Sequence, residues 1–393
     1  MPSPFAEHEH LARLTPEKII DAAGIEIGGS GQERSHDTEH ILPALRQLTA
    51  ALQSEARLTV SGAAAVGKAL TDQLVTRSRV NELIRRNPEI AQQQIPGPVF
   101  ITGIFRSGTT LLQNLMAEIP AVRAPRLWEM LAPAAAAAGG PERSAAVKAA
   151  EEYVAEYYEK APLFKAIHPL DAHRPEECHR LTGGTFRADI YALRYRVPSY
   201  VAWLREQDMR PSYAYHRTLL GCLLRAEPAE HVVLKCPSHM WHLNTLAQVY
   251  PQARIVRLHR DPKACLPSLC SLTGVVRGAR SGEVDKREIG AYWAGHVGRA
   301  LAGTRPAEAL ESGLPVLDLR YSDLVSDPVG TVARVCRFAG IAWSPAAEDR
   351  VRGFLAGNPK DKHGKHSYSA EEFGLDPREL DERFAAYRRA FDL

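Results

Sequence analysis

The segment PVFITGIFRSGTTLLQNLMAEIP, residues 98–120, carries the clearest chemical pattern in the 393-residue chain. A short apolar run leads into a loop bounded by Gly103 and Gly108, and apolar residues at helical spacing follow the loop. This pattern predicts a strand, a tight loop and a helix, and the first amides of such a helix attract an anion. The amides expected to contact the anion belong to Ser107, Gly108, Thr109 and Thr110. The sequence therefore predicts a phosphate-binding loop.

One position separates this loop from the P-loop of nucleotide triphosphatases. The span from Gly103 to Thr110 has the P-loop length, but Thr109 stands where those enzymes have a lysine. Arg106 is the only cationic side chain in the loop, so we expect it to meet the bound group. Two alternatives stay open at this point: a Mg²⁺-dependent P-loop kinase or nucleotide triphosphatase, and a nucleotide-binding protein without catalysis.

A second anion-binding pattern follows a predicted strand at residues 255–258. Arg260 lies just after this strand, and Ser268 follows after seven intervening residues, in a helix that begins near Pro262. A guanidinium group and a hydroxyl group placed in this way can hold a phosphate from two sides. Two such sites at the ends of predicted strands indicate a ligand with two separate phosphate groups.

The loop segment GIFRSGTTL resembles the 5′-phosphosulfate loop of the sulfotransferases, which transfer a sulfuryl group from 3′-phosphoadenylyl sulfate (PAPS) to an acceptor. That family has lysine or arginine at the position of Arg106, whereas Phe105 replaces the proline that usually precedes it. The pair Arg260 and Ser268 is similar to the family's 3′-phosphate motif. The resemblance implies PAPS as the donor, 3′,5′-bisphosphoadenosine (PAP) as the product, and no metal.

A lysine and several carboxylates complete the predicted catalytic set. Lys235 ends a predicted strand at residues 232–234, on the edge where parallel sheets bind ligands. The family has a similar LKSP or LKDP segment, which implies that Lys235 stabilises the leaving phosphate. The PEE sequence at residues 175–177 also recurs in the family and favours Glu177 as the general base. The substitutes for this role are Glu176, Glu129 and His179.

The polar segment around these glutamates, residues 168–184, allows two other interpretations. Its histidines and Cys178 are zinc-ligand types, but the segment has neither a CxxC nor an HxxxH pair, the spacing typical of zinc sites. Glu177 could also serve only to cap or salt-bridge the helix after Pro175.

Further contacts are implied by the resemblance or by composition. The family places a tyrosine near the purine, which implies this role for Tyr321, and a basic glycine loop near the 3′-phosphate, which implies Gly364 and Lys365. The aromatic residues between positions 191 and 215 predict an acceptor pocket. The composition of residues 273–304 predicts either a lid or a solvated surface, and within the same range a helix through Trp293 follows it.

Composition narrows the functional class. The net charge of +3 is too small for a dedicated nucleic-acid-binding protein. The six cysteines lack CxxC pairing, and the sequence shows neither a signal peptide nor a long uncharged apolar run, which predicts a cytoplasmic protein without a membrane span. We predict a P-loop-type three-layer α/β fold over residues 96–393, in which helices flank a central parallel sheet, with a helical N-terminal extension over residues 1–95. The expected partner is a small-molecule or lipid hydroxyl acceptor, and a homodimer stays open.

Overall fold

A computed structural model describes residues 11–25, 37–306, 313–359 and 367–393. Its sheet has five strands, all parallel, in the spatial order β2-β3-β1-β4-β5. The strands are β1 (Val99–Gly103), β2 (Val122–Arg123), β3 (His231–Lys235), β4 (Arg254–His259) and β5 (Val316–Arg320). The predicted strands are confirmed, with bounds that differ by one or two residues.

Helices surround this sheet. Those before β3 are α1 (Pro16–Ala22), α2 (Leu42–Ser54), α3 (Val60–Arg86), α4 (Glu89–Gln92), α5 (Thr109–Met116), α6 (Leu127–Leu131), α7 (Pro133–Ala138), α8 (Gly140–Lys160), α9 (Phe164–Ile167), α10 (His179–Thr182), α11 (Ile190–Arg194), α12 (Pro198–Arg205) and α13 (Arg210–Ala226). Those after β3 are α14 (Leu243–Val249), α15 (Pro262–Gly278), α16 (Lys286–Ala302), α17 (Tyr321–Ser326), α18 (Pro328–Ala339), α19 (Pro345–Gly357) and α20 (Pro377–Phe391). Within the described ranges, no helix combines the length and the apolar character needed to cross a membrane.

The two faces of the sheet contribute to two apolar cores. Val99 and Ile101 of β1 pack into one core with residues of α5, α18 and α19, whereas Phe100 packs into a larger core on the other side. All residues of β1 are buried. A central parallel strand is covered on both faces, so it reads as a continuous apolar run, which is why the sequence revealed it.

The N-terminal helices pack into the larger core. The predicted apolar spacing is confirmed, because Leu45 and Leu48 of α2 and Leu70 of α3 are fully buried there. At Gly62 of α3 a Cβ atom would lie 1.9 Å from the carbonyl oxygen of Arg280, so only glycine allows this close approach. Because these helices share a core with the rest of the chain, the boundary between residues 95 and 96 stays a prediction.

Two expectations about the middle of the chain need correction. Residues 273–278 continue α15, and Arg277 is buried, so this first part of the region is neither a lid nor a solvated surface. The connection at residues 279–285 includes exposed residues, and for it both interpretations stay predictions. The helix through Trp293 is confirmed as α16. Tyr200 and Tyr213, expected to line a pocket, are buried core residues whose hydroxyl groups bond to the carbonyl oxygen of Phe186 and to His239. Buried tyrosines need such partners, so these two belong to the core.

Two buried histidines beneath β1 should make the fold sensitive to acid. Burial lowers the pKa of His216 from 6.5 to about 3 and also holds the pKa of His239 well below 6.5. Both stay neutral in the folded chain but take up a proton when it unfolds below pH 6.5, so stability is retained above this pH and lost as the pH falls toward 3. Each should lower the free energy of unfolding by about 1.4 kcal/mol per pH unit in this window.

Urea unfolding between pH 7 and pH 5 measures this effect. His216→Phe should make the loss of stability with falling pH shallower by the share of one histidine, whereas replacement of the exposed His173 by phenylalanine should leave it unchanged. An identical pH dependence for wild type and His216→Phe would contradict a neutral buried imidazole.

Candidate active site

The predicted phosphate-binding loop joins β1 to α5 and requires glycine at both ends. Gly103 and Gly108 have positive φ angles of 150° and 95°. A Cβ atom at Gly103 would lie 2.3 Å from the carbonyl oxygen of Leu258, and one at Gly108 would lie 2.7 Å from the ring of Tyr321. Arg106, at the crest of the loop, also has a positive φ of 71°, which is uncommon for a residue with a side chain. The backbone of the loop is therefore held tightly between two neighbouring segments.

The loop has the features that an anion would satisfy. The hydroxyl group of Ser107 is buried and has no hydrogen-bond partner among the described residues. The first amides of α5 have no acceptor within the helix, because the hydrogen bonds of a helix start one turn later. Burial lowers the pKa of the Arg106 guanidinium, a disadvantage that a bound anion would offset. These residues fit the 5′-phosphosulfate part of PAPS.

The two predicted phosphate sites lie side by side. Strands β1 and β4 are neighbours, with Gly103 paired to Leu258, so Arg260 leaves the sheet next to the loop. One Arg260 amino group donates to the carbonyl oxygen of Arg106 at 2.8 Å, and Arg106 Nε donates to Ser268 Oγ at 3.1 Å. The residues assigned to the 5′ and 3′ phosphates therefore adjoin one another, as a single nucleotide requires.

Lys235 connects the loop to a carboxylate. It ends β3, the neighbour of β1 on the side opposite β4, and its side chain is 1% exposed. Its Nζ donates to Glu177 Oε1 at 2.5 Å and to Thr110 Oγ1 at 3.1 Å. A buried ammonium group is stable only when it is paired, and here a carboxylate and a loop hydroxyl both pair with it. The sequence predicted all three residues, but not that Lys235 joins the other two.

Glu177 is buried at this junction and ionised at neutral pH. Its backbone neighbour Cys178 donates to the carbonyl oxygen of Lys235 at 2.8 Å, which fixes the segment against β3. Burial by itself would raise the pKa of Glu177, but the charge of Lys235 and a 3.2 Å bond to His179 Nδ1 outweigh it and hold the pKa well below 4.5. A carboxylate in this state becomes a good proton acceptor when its cationic partner moves away or when negative charge is added nearby, because either change raises its pKa.

The other two predicted carboxylates have different partners. Glu176 accepts from the backbone amide of Glu177 at 2.7 Å and lies 3.7 Å from His168, and its pKa is also low because this histidine and nearby cations outweigh burial. Glu129 is bound by Arg123 at 2.7 Å and Arg126 at 2.6 Å, where it caps the start of α6. Among the described residues, Glu129 forms no hydrogen bond or ion pair with Lys235 or with the loop, so its position gives no support to a catalytic role.

The structure brings together possible zinc ligands that the sequence spacing did not show. Atoms of Glu177, His179 and Cys236 lie within 4.8 Å of one another. However, Lys235 already supplies the cation that Glu177 contacts, at 2.5 Å between Nζ and Oε1, so this carboxylate is paired by a protein side chain. The arrangement favours an acid/base site over a metal site.

Of the three remaining predicted nucleotide contacts, the structure describes the position of one. Tyr321 lies beside the loop, with its ring centroid 4.1 Å from the guanidinium carbon of Arg260, so it adjoins the nucleotide residues. Gly364 and Lys365 lie outside the described residues.

One residue that sequence reasoning missed is Gln113, whose side-chain amide donates to the carbonyl oxygen of Glu176 at 3.1 Å. Its position one turn after Thr110 on α5 is the signal that would have found it.

Comparison with known proteins decides the family. The sequence profile described as the sulfotransferase family matches residues 98–345. The chain belongs to the sulfotransferase family. The matched residues contain the loop, Glu177, Lys235 and the Arg260–Ser268 pair, so this sulfotransferase carries its candidate site within the part that defines the family.

Individual relatives cover most of the sulfotransferase. Omega-hydroxy-beta-dihydromenaquinone-9 sulfotransferase Stf3 of Mycobacterium tuberculosis is 26% identical over 326 residues, which are 77% of this chain and 76% of Stf3. The crystal structure of sulfotransferase STF1 from the same organism has a TM-score of 0.78 and 28% identity and covers 98% of this chain and 99% of its own. STF9 from Mycobacterium avium, with a TM-score of 0.81, 24% identity and 97% coverage of both chains, shows the same fold. The predicted α/β fold and the enzyme class are thereby confirmed.

Proposed function

We propose that this sulfotransferase moves the sulfuryl group of PAPS to a hydroxyl group of its acceptor, with Glu177 as the general base. The observation that carries the proposal is the bonding of Lys235 to Glu177 and Thr110, which joins the anion-binding loop to a buried carboxylate. The donor phosphates are assigned to the loop with Arg106 and to the pair Arg260 and Ser268. No metal takes part in this scheme, since side-chain and backbone donors meet the phosphates.

The proposed reaction is an in-line displacement. The acceptor oxygen forms a bond to sulfur while the bond between sulfur and the phosphate oxygen breaks, and the electron pair of that bond stays on the phosphate of PAP. The acceptor proton passes to Glu177. Negative charge grows on the leaving phosphate oxygen, where Lys235 and Arg106 stabilise it, and one such donor contributes about 3 kcal/mol. Holding donor and acceptor in line contributes about 7 kcal/mol more in favourable cases.

The contact between Lys235 and Glu177 suggests how the base is activated. In the described structure the ammonium group keeps the Glu177 pKa low, which makes the carboxylate a weak base. If Lys235 turns toward the leaving phosphate, Glu177 loses its main counter-charge and burial raises its pKa. The carboxylate would then become a stronger base as the phosphate departs.

We propose a lipid-like acceptor with a hydroxyl group. The support is the relative Stf3, whose name describes an omega-hydroxy menaquinone derivative as its acceptor. A small-molecule acceptor without a lipid chain is the alternative. Location in the cytoplasm, a homodimer, the purine contact of Tyr321 and the 3′-phosphate contacts of Gly364 and Lys365 stay predictions.

Two measurements test the proposal. Calorimetry should show that PAP binds without Mg²⁺, and transfer of labelled sulfate from PAPS to a panel of hydroxylated lipids and phenols should identify an acceptor. ATP binding that requires Mg²⁺ would instead favour the P-loop kinase or nucleotide triphosphatase, against which Thr109 argues. Tight PAP binding without transfer to any acceptor would favour a nucleotide-binding protein.

The role of Arg260 leads to a prediction about nucleotide selectivity. Arg260→Ala should weaken PAP binding about 10- to 100-fold, because a charge-assisted contact to phosphate contributes about 1.5–3 kcal/mol. Adenosine 5′-phosphate should bind almost as before, since it lacks the 3′-phosphate. Calorimetry with both nucleotides measures the difference.

Arg254→Ala is the matched control, because Arg254 begins the same strand whose other end precedes Arg260. It should leave both affinities unchanged. Equal losses for PAP and adenosine 5′-phosphate in Arg260→Ala would refute the assignment of Arg260 to the 3′-phosphate.

A further inference from the structure

We propose that the acceptor is an amphiphile with an anionic group, and that three arginines on the acceptor side of Glu177 bind this group. The inference rests on the proposed function. The site, called here the arginine–tyrosine cluster, consists of Arg180, Arg194, Arg280, Tyr153, Tyr157 and Tyr195.

The cluster is assembled from distant parts of the chain. Arg180 belongs to α10 and Arg194 ends α11, while Arg280 lies just beyond the end of α15. Tyr153 and Tyr157 project from α8, one turn apart, with ring centroids 6.0 Å from each other. Such a meeting of cations from separate elements is visible only in the folded chain.

The contacts within the cluster are between cations and aromatic rings. An amino group of Arg180 donates to the hydroxyl group of Tyr153 at 2.8 Å. The guanidinium carbon of Arg280 lies 5.7 Å from the ring centroid of Tyr157 and 6.0 Å from that of Tyr195. Aromatic rings stabilise cations weakly, by about 0.5–2 kcal/mol, and they do not neutralise their charge.

The cluster has more positive than negative charge. The carboxylate nearest Arg180 is Glu176, at 3.8 Å, and Glu176 is shared with His168. The Nε of Arg180 is buried without a hydrogen-bond partner, and Arg194 makes no hydrogen bond or ion pair with the residues that the structure describes. Arg280 donates to the carbonyl oxygen of Val276. Free donors on partly buried guanidinium groups are the feature that a carboxylate or phosphate ligand satisfies.

The direction of the Tyr153 pKa agrees with this excess of positive charge. Burial would raise the pKa of Tyr153, but the charges of Arg180, Arg194 and Arg280 outweigh it and lower this pKa. The geometry agrees with this, because Arg180 bonds to Tyr153, Arg280 packs on the neighbouring ring of Tyr157 and on Tyr195, and Arg194 directly precedes Tyr195 in the chain.

The cluster adjoins the base and not the donor phosphates. Arg180 follows His179, whose ring bonds to Glu177 at 3.2 Å, and Arg180 and Arg194 both contribute, after burial, to the low His179 pKa of about 4. By contrast, Arg280 and Ser268 are far apart along α15. The part of the helix between Ser268 and Gly278 is about 15 Å long, and Arg280 lies just beyond Gly278. PAPS held by Arg106, Arg260 and Ser268 would have its phosphates elsewhere. The cluster is therefore available to an anion of the acceptor.

The side chains around the arginines indicate that the acceptor also has an apolar part. Tyrosine rings line the cluster, and Tyr157 also packs on Phe164 with ring centroids 4.7 Å apart. An apolar chain or ring can lie against these side chains while its hydroxyl group reaches Glu177 and its anion reaches the arginines. The chemical class that fits is a hydroxylated carboxylic acid or a phosphate ester with an apolar body.

Calorimetry tests this without turnover. The protein saturated with PAP is titrated with a homologous series of ω-hydroxyalkanoates and with their methyl esters, which lack the charge. At least one acid should bind about tenfold more tightly than its ester. Arg194→Met should remove this preference and is a mild change, because Arg194 has no side-chain partner among the described residues. Arg280→Met should reduce it as well, whereas Arg46→Met, at an exposed position of α2, should leave it intact.

The outcomes separate this inference from the proposed function. Equal binding of acids and esters, failure of both to bind, or a preference that survives in Arg194→Met would overturn the anion site, even if PAP binds and sulfate is transferred to a neutral acceptor. Loss of PAP binding by the wild-type protein would instead contradict the proposed function. PAP titration of each variant shows that its nucleotide site has folded.

Discussion

Replacement of Glu177 by glutamine is expected to lower kcat by about 10²- to 10⁴-fold, the usual contribution of a general base. Glutamine has nearly the same shape but cannot take up the acceptor proton. PAP affinity should stay within about threefold of wild type, because Glu177 contacts the loop only through Lys235. Rapid-quench measurement of labelled sulfate transfer, together with PAP calorimetry, distinguishes these two effects.

The same replacement should also lower stability. Without the Glu177 charge, the buried Lys235 ammonium keeps only Thr110 as a partner, and breaking a buried ion pair costs about 3–5 kcal/mol. Glu118→Gln is the control, because it removes an ion pair with Arg174 in a more exposed position. Unaltered turnover in Glu177→Gln would assign the base to another group, with Glu176 and His179 the nearest candidates.

Replacement of Lys235 by methionine is expected to lower kcat by about 10²- to 10³-fold, corresponding to roughly 3 kcal/mol of lost stabilisation on the leaving phosphate oxygen. It should also change the pH dependence of the remaining activity. In the wild type the Lys235 charge is the largest influence that lowers the Glu177 pKa, and it opposes burial. Without this charge the Glu177 pKa rises, so the acid limb of the kcat profile should move to higher pH.

The pH profile separates this role from a purely structural one. A general loss of folding would reduce activity at every pH, whereas the predicted change moves the midpoint of the acid limb. Lys68→Met, which removes an exposed ion pair with Asp72 on α3, should change neither kcat nor the midpoint. An acid limb that stays in place in Lys235→Met would contradict the electrostatic coupling between Lys235 and Glu177.

The sequence predicted correctly where two groups of residues lie relative to the strands. The loop between Gly103 and Thr110 and the pair Arg260 and Ser268 each follow a buried parallel strand, and neighbouring parallel strands bring their carboxyl ends to one edge. The alternation of apolar runs and helical spacing was therefore enough to place the residues of both predicted anion sites together. For Tyr200 and Tyr213 the predicted place in a pocket was wrong, because these tyrosines look the same in sequence whether they face a pocket or the core.

The choice among carboxylates shows where sequence reasoning ends. The sequence predicted Glu177 as the general base and Glu129 among its substitutes. In the folded chain Arg123 and Arg126 bind Glu129, while the bond from Cys178 to the strand carrying Lys235 brings Glu177 to the loop. The partners of Glu129 lie within six residues of it, whereas Glu177 meets Lys235 across 58 positions, a contact for which no local pattern exists.

The amino-acid sequence alone determined four of the five strands, the glycine-bounded loop, the places of the two predicted phosphate motifs and, by resemblance, the enzyme class. Local sterics and hydrophobic periodicity decide these features, and both act within one or two elements. Only the tertiary structure decided that Lys235 joins Thr110 to Glu177, that Arg106 bonds to Ser268, and that three arginines meet around the tyrosines of α8. Electrostatic pairing and burial depend on which surfaces pack together, and the packing of the whole chain settles that.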